Sequence, residues 1–122
     1  MMNQELKNRL INLGLDVNKS LKLYFLEDED FYEKIIYESF LKEDLLVNTY
    51  KYVQENDIEN AFMNAHKLKS QIGYLCFDRL YAMISMVCDI LRNKKIDGVI
   101  LLLEEMENPY YKFISILKEY HK

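Results

Sequence analysis

A chain of 122 residues with a formal net charge of −4 suits one domain and lacks the basic face that a nucleic-acid backbone requires of its partner. Half of its residues are hydrophobic, enough for one core, and three glycines with one proline leave few breakers, which excludes a turn-rich β fold and favours an all-α one. Residues 1–7 do not read as a signal peptide and no apolar run nears the ~20 residues that cross a bilayer, so a cytoplasmic protein is expected, with no membrane partner.

Leu6, Leu10 and Leu13 predict a short amphipathic helix closed by Gly14. Asp16 is placed to cap a second short helix carrying Val17, Leu21, Leu23, Tyr24 and Phe25. The cluster Glu27-Asp28-Glu29-Asp30 reads as a helix N-terminus whose carboxylates favour the dipole, with an acidic docking patch as the alternative. Residues 31–41 and 45–53 have helical spacing, and Lys42-Glu43-Asp44 between them leaves open one bent helix or two. Glu55-Asn56-Asp57 is a turn, and Asp57 caps a helix that runs to about Gly73. The next helix, about 77–92, is apolar around most of its circumference, as expected of one packed on several sides. Asp97 is expected to cap the last helix, with Val99, Ile100, Leu103 and Met106 inward. Pro109 predicts a kink or a fresh start capped by Asn108, after which Phe113, Ile114 and Leu117 continue the apolar face. With no repeat, low-complexity tract or linker, the expected architecture is a single antiparallel helical bundle over 1–122, with the short N-terminal helices packed against it.

Within the helix after Asp57, residues Ile58, Ala61, Ala65, Leu68, Ile72 and Leu75 share one stripe at about 100° per residue. His66 falls at the edge of that stripe, with Phe62, Lys69, Ser70 and Gly73 around it. An imidazole with an aromatic on one side, a cation one turn on and two very small neighbours is accessible to another protein. A neutral imidazole has an ordinary pKa near 6.5 and is a good nitrogen nucleophile at neutral pH. Lys69, at i+3, shares its face and can neutralise an anionic group on the ring. Lys67 points away to solvent, and Gln71 is a polar residue available to a partner but turned from His66. His121 has no motif around it, and Asp78 and Asp89 form no carboxylate pair with sequence support. Cys76 and Cys88 form no Cys-x-x-Cys pair and fit buried thiols of a reducing compartment, not a disulfide or zinc site. No glycine-rich phosphate loop and no metal-ligand spacing is present, and the six methionines read as core filling.

The run Ala65-His66-x-Leu68-Lys69-small-x-x-Gly73 resembles the signature of the histidine-containing phosphotransfer (HPt) family. Leu75, Phe77, Leu80, Met83, Ile84 and Val87 keep the apolar spacing of that family's next helix, and the resemblance covers nearly the whole chain. It implies a four-helix-bundle core and a phosphorelay carrier, not an ATP-dependent enzyme. His66 would be the phosphoacceptor and Lys69 the phosphate-stabilising cation. Phe62, Met63, Ser70, Gly73 and Arg92 would meet the partner, a response-regulator receiver domain or a hybrid histidine kinase carrying one. The receiver would bring Mg²⁺, the carrier would hold no cofactor or metal of its own, and a monomer is expected. Two positions depart from the family: Ser70 stands where glycine is usual, and Cys88 where a polar residue is frequent. The rival readings are a helical module that binds a receiver or kinase without taking phosphate, which a buried His66 would favour, and a ligand- or metal-binding bundle, which needs a second ligand facing His66.

Overall fold

Among residues 1–121, which the structure (a computed structural model) describes, the chain forms seven helices and no strand. They are α1 (Gln4–Leu13), α2 (Val17–Tyr24), α3 (Glu29–Phe40), α4 (Leu45–Gln54), α5 (Ile58–Tyr74), α6 (Asp78–Arg92) and α7 (Val99–Tyr120). Five of them start on a short polar side chain that accepts hydrogen bonds from otherwise unpaired first-turn amides. Asn3 accepts from the Glu5 and Leu6 N–H groups at 2.8 and 3.1 Å. Asp16, Asp28, Asp44 and Asp57 each accept from the N–H three residues on, at 3.1, 3.0, 3.0 and 3.2 Å. Each such cap contributes about 1 kcal/mol.

These caps fix two local features. The acidic run at 27–30 is the start of α3, with Asp28 as its cap and Glu29 paired to Lys7 at 3.2 Å. Residues 41–44 are a true break, since Asp44 begins a separate helix. Gly14 closes α1 at φ 125°, where a side chain would be strained.

The last helix departs from expectation twice. Its N-cap is Gly98, in the left-handed region at φ 82°, and Asp97 lies outside the helix and makes no cap. Glycine adopts that conformation without steric cost, and Val99, directly after it, is buried. Further on, α7 runs through Pro109 as one helix, so Asn108 starts nothing. Pro109 is itself buried, in line with Met106, Tyr110 and Phe113. Packing of that face offsets the roughly 3 kcal/mol that an interior proline costs.

Four helices pack in a ring: α4 on α5, α5 on α6, α6 on α7, and α7 back on α4. Outside it, α1 rests on α7 and α2 on α1. One hydrophobic cluster takes residues from all seven helices. At its centre Phe113 meets Phe40 and Phe77 edge-on, with centroids 5.0 and 6.4 Å apart. α2 is tied to the turn between α5 and α6: the Asp16 N–H donates to the Cys76 carbonyl at 3.0 Å, and the Ser20 hydroxyl donates to the Tyr74 carbonyl. Its Leu23 and Tyr24 point outward and not into the core.

Nor is α6 enclosed on all sides. Leu80, Ile84, Val87, Cys88 and Leu91 are buried, whereas Tyr81 and Met86 are exposed. Its surplus of apolar residues therefore lies on an open face. No described helix is long and apolar enough to cross a membrane.

Candidate functional site

The core stripe of α5 is made of small and medium side chains: Ala61, Ala65, Leu68 and Ile72, all buried. Two alanines let α4 and α6 approach the α5 backbone closely, so residues a quarter-turn off the stripe sit at the rim of the contact. His66 occupies that rim and is exposed. Its ring lies 5.8 Å from the Phe62 ring, tilted by 37°. Phe62 in turn lies under the Arg92 guanidinium of α6, whose Cζ is 5.6 Å from the ring centroid. Arg92 also pairs with Asp89 at 2.9 Å. The imidazole thus neighbours an aromatic ring that also carries the Arg92 cation.

On the other side of His66, Lys69 is half-buried, with its ammonium 5.7 Å from the Tyr81 ring centroid. It forms no ion pair among the described residues. Ser70 is exposed, and its hydroxyl donates back to the His66 carbonyl at 3.1 Å. The hydroxyl is spent on the helix's own backbone, a common arrangement for serine inside a helix. Gly73 completes the patch one turn later. A depression of about 410 Å³ opens here, lined by Tyr24, His66, Lys69, Ser70, Tyr74 and Tyr81.

Each predicted site residue therefore lies on the α5–α6 face. Met63, 60% exposed, and Phe62 border a second depression, with Leu91 and Arg92 across from them. Cys88 is buried, and burial pushes its thiol pKa up, so it supplies no polar group to this surface. Lys67 is exposed as expected and reaches Glu43 at 3.3 Å. Gln71 is half-buried, and its side-chain oxygen is enclosed without a hydrogen-bond partner. His121 stacks against Tyr37, with ring centroids 4.6 Å apart.

Sequence reasoning missed the tyrosines. Tyr24 and Tyr74 meet edge-to-face at 5.0 Å and wall one end of the depression, and Tyr81 forms its floor beside Lys69. The sequence places Tyr24 among the residues of the second short helix and gives it no role in the site. The usable signal was composition, since ten tyrosines in such a chain exceed what a core can absorb with every hydroxyl satisfied.

Chemically, the patch offers one accessible nitrogen nucleophile, one unpaired cation within a helical turn, and small neighbours that leave the approach open. Among the described residues no group of three or more His, Cys, Asp or Glu side chains is placed to hold a metal ion. No protein-family model, curated protein or solved structure matches this chain.

Proposed function

We propose that this chain is a phosphocarrier of the HPt type, a single domain in which α4 to α7 form the four-helix bundle and His66 is the phosphoacceptor. The observation that carries the reading is the accessible imidazole on α5, with Lys69 one turn on and Ser70 and Gly73 beside it. The short connections between α4, α5, α6 and α7 support the bundle, because consecutive helices so joined run antiparallel.

In the reaction, a ring nitrogen of His66 attacks the phosphorus of a receiver's aspartyl phosphate. The N–P bond forms as the P–O bond breaks, and the electron pair leaves on the aspartate carboxylate. The reverse attack by a second receiver's aspartate returns the histidine. Phosphoryl transfer depends on position and charge stabilisation, and Lys69 contributes the carrier's share of the latter. The receiver supplies Mg²⁺ and the acidic pocket around it. Phe62 and Met63 give the docking face its apolar contacts and Arg92 a rim cation. The carrier needs no nucleotide and works in the cytoplasm as a monomer.

The test is incubation with each phosphorylated receiver of the same cell. Acid-labile, alkali-stable label should appear on the wild-type protein and on His121→Gln, and vanish from His66→Gln. Label on His66→Gln, or on the wild-type protein from ATP and Mg²⁺ alone, would overturn the reading.

A further inference from the structure

Gly73 and Lys69 stand one turn apart on α5, and both meet the same ring of α6. The Lys69 ammonium is 5.7 Å from the Tyr81 centroid, and a Cβ added to Gly73 would lie 3.2 Å from Tyr81 Cε1. The second distance is tighter than ordinary van der Waals contact, so any side chain at position 73 would press on the ring. The bare backbone at Gly73 is what lets the ring lie across α5 beneath the lysine. Tyr81 is 40% exposed and its hydroxyl makes no hydrogen bond within the described residues, so neither core filling nor a polar anchor accounts for its place.

We propose that Tyr81 is a positioning residue: its ring, seated on Gly73, holds the Lys69 ammonium beside His66 while leaving its charge free for an anionic group on the imidazole. The inference rests on the phosphocarrier reading and assigns it a residue outside the histidine motif. A lysine stem has many rotamers, and an exposed one samples them freely. An aromatic face attracts the cation through its quadrupole but carries no net charge. A carboxylate in the same place would hold the ammonium and also cancel it, and would then compete with the phosphoryl oxygens. The ring orders the cation without that competition. Because the ring acts and not the hydroxyl, phenylalanine should serve as well.

The experiment compares wild type, Tyr81→Phe, Tyr81→Leu, Lys69→Ala and the Lys69→Ala/Tyr81→Leu double variant. Each is labelled by a phosphorylated receiver and, separately, by phosphoramidate, with single-turnover rates read for both donors. Tyr81→Leu should slow labelling about two- to fivefold, the size of an exposed cation–π contact, and Tyr81→Phe should restore it. In the Lys69→Ala background the leucine should have no further effect. Independently of any reaction, the Lys69 Hε resonances should carry a ring-current shift in wild type and Tyr81→Phe that disappears in Tyr81→Leu. Gly73→Ala, which displaces the ring without removing it, should diminish both the shift and the rate. A Tyr81→Leu protein that labels at the wild-type rate, or one whose defect persists undiminished without Lys69, would overturn the positioning role and leave the carrier reading intact. Wild-type protein that takes label from neither donor would overturn both.

Discussion

α5 and α7 are the two longest helices, and they solve opposite problems. α7 buries a broad face of large side chains, among them Leu103, Met106, Tyr110, Phe113 and Leu117. α5 buries a narrow stripe in which two of four residues are alanine. A wide face of large residues anchors a helix but carries its outer residues away from its neighbours. A narrow stripe of small ones draws the neighbours in, so that side chains just off the stripe emerge at a seam between helices. The imidazole of His66 stands at such a seam, flanked by Phe62 and Arg92 on one side and by Lys69 and Tyr81 on the other. In this fold stability and accessibility are therefore assigned to different helices.

Substitutions should separate the two. The largest loss is expected on α7: Phe113→Ala should destabilise the protein by about 3–5 kcal/mol, read from denaturant midpoints, because it opens a void between Phe40 and Phe77. His66→Gln should leave stability within about 0.5 kcal/mol, as exposed positions usually do. Comparable losses from the two variants would erase the contrast.

Alkali should act through the tyrosines of α7, as it should through Tyr32 and Tyr37 of α3, whose phenol pKa values burial also raises. Burial, and then the nearby Asp44 carboxylate, raises the phenol pKa values of Tyr110 and Tyr111 above the ordinary value. Those phenols hold protons that the unfolded chain releases above about pH 10. The associated stability is complete below the unfolded pKa and is lost as pH rises toward the folded values. Midpoints at pH 7 and pH 9 should agree, and the pH 11 midpoint should be lower, less so for Tyr111→Phe.

On α5, Ala65→Leu should overpack the stripe, with a cost of about 1–3 kcal/mol, and push α6 outward. Labelling of His66 should change with it, since the seam itself moves. Removing the cap by Asp57→Ala should cost about 1 kcal/mol and leave the labelling rate alone, because the cap lies more than two turns from His66. The smallest effect belongs to Ser70→Gly: about 0.5 kcal/mol lower stability, with labelling by receivers at or above the wild-type rate. The serine hydroxyl bonds the His66 carbonyl, so its removal opens space without freeing a polar group at the surface.

What the sequence made legible was local chemistry. Asp16, Asp57 and Gly14 cap where their residue types say they should, because capping involves only neighbouring backbone amides. The α5 stripe was legible because one helix's periodicity reports one buried face. Misreadings came where distant segments decide. Asp97 looked like a cap, but the left-handed turn falls on Gly98. Pro109 predicted a kink or a fresh start capped by Asn108, and no new helix starts there because the core holds α7 through it. Tyr24 and Tyr74 are fifty positions apart in the chain and meet only because Ser20 and Asp16 bind α2 to the end of α5. Of the candidate site, the α5 residues other than Tyr74 were named from the sequence, as was Arg92; Tyr24 and Tyr81 join it through the tertiary arrangement.

Pro109 has a consequence in time. Without its N–H, Pro109 leaves one gap in the ladder of α7, at the Glu105 carbonyl, which weakens the support each half gives the other. A helix interrupted in this way gains little from its own propagation and depends on surfaces already assembled around it. α7 is then expected to become ordered late in folding, after α4, α5 and α6 have made the bed that receives it. Its amides would exchange with solvent as one group with global unfolding, while those at the free end of α2 exchange sooner. The face that carries His66 would take shape before the helix that gives it permanence.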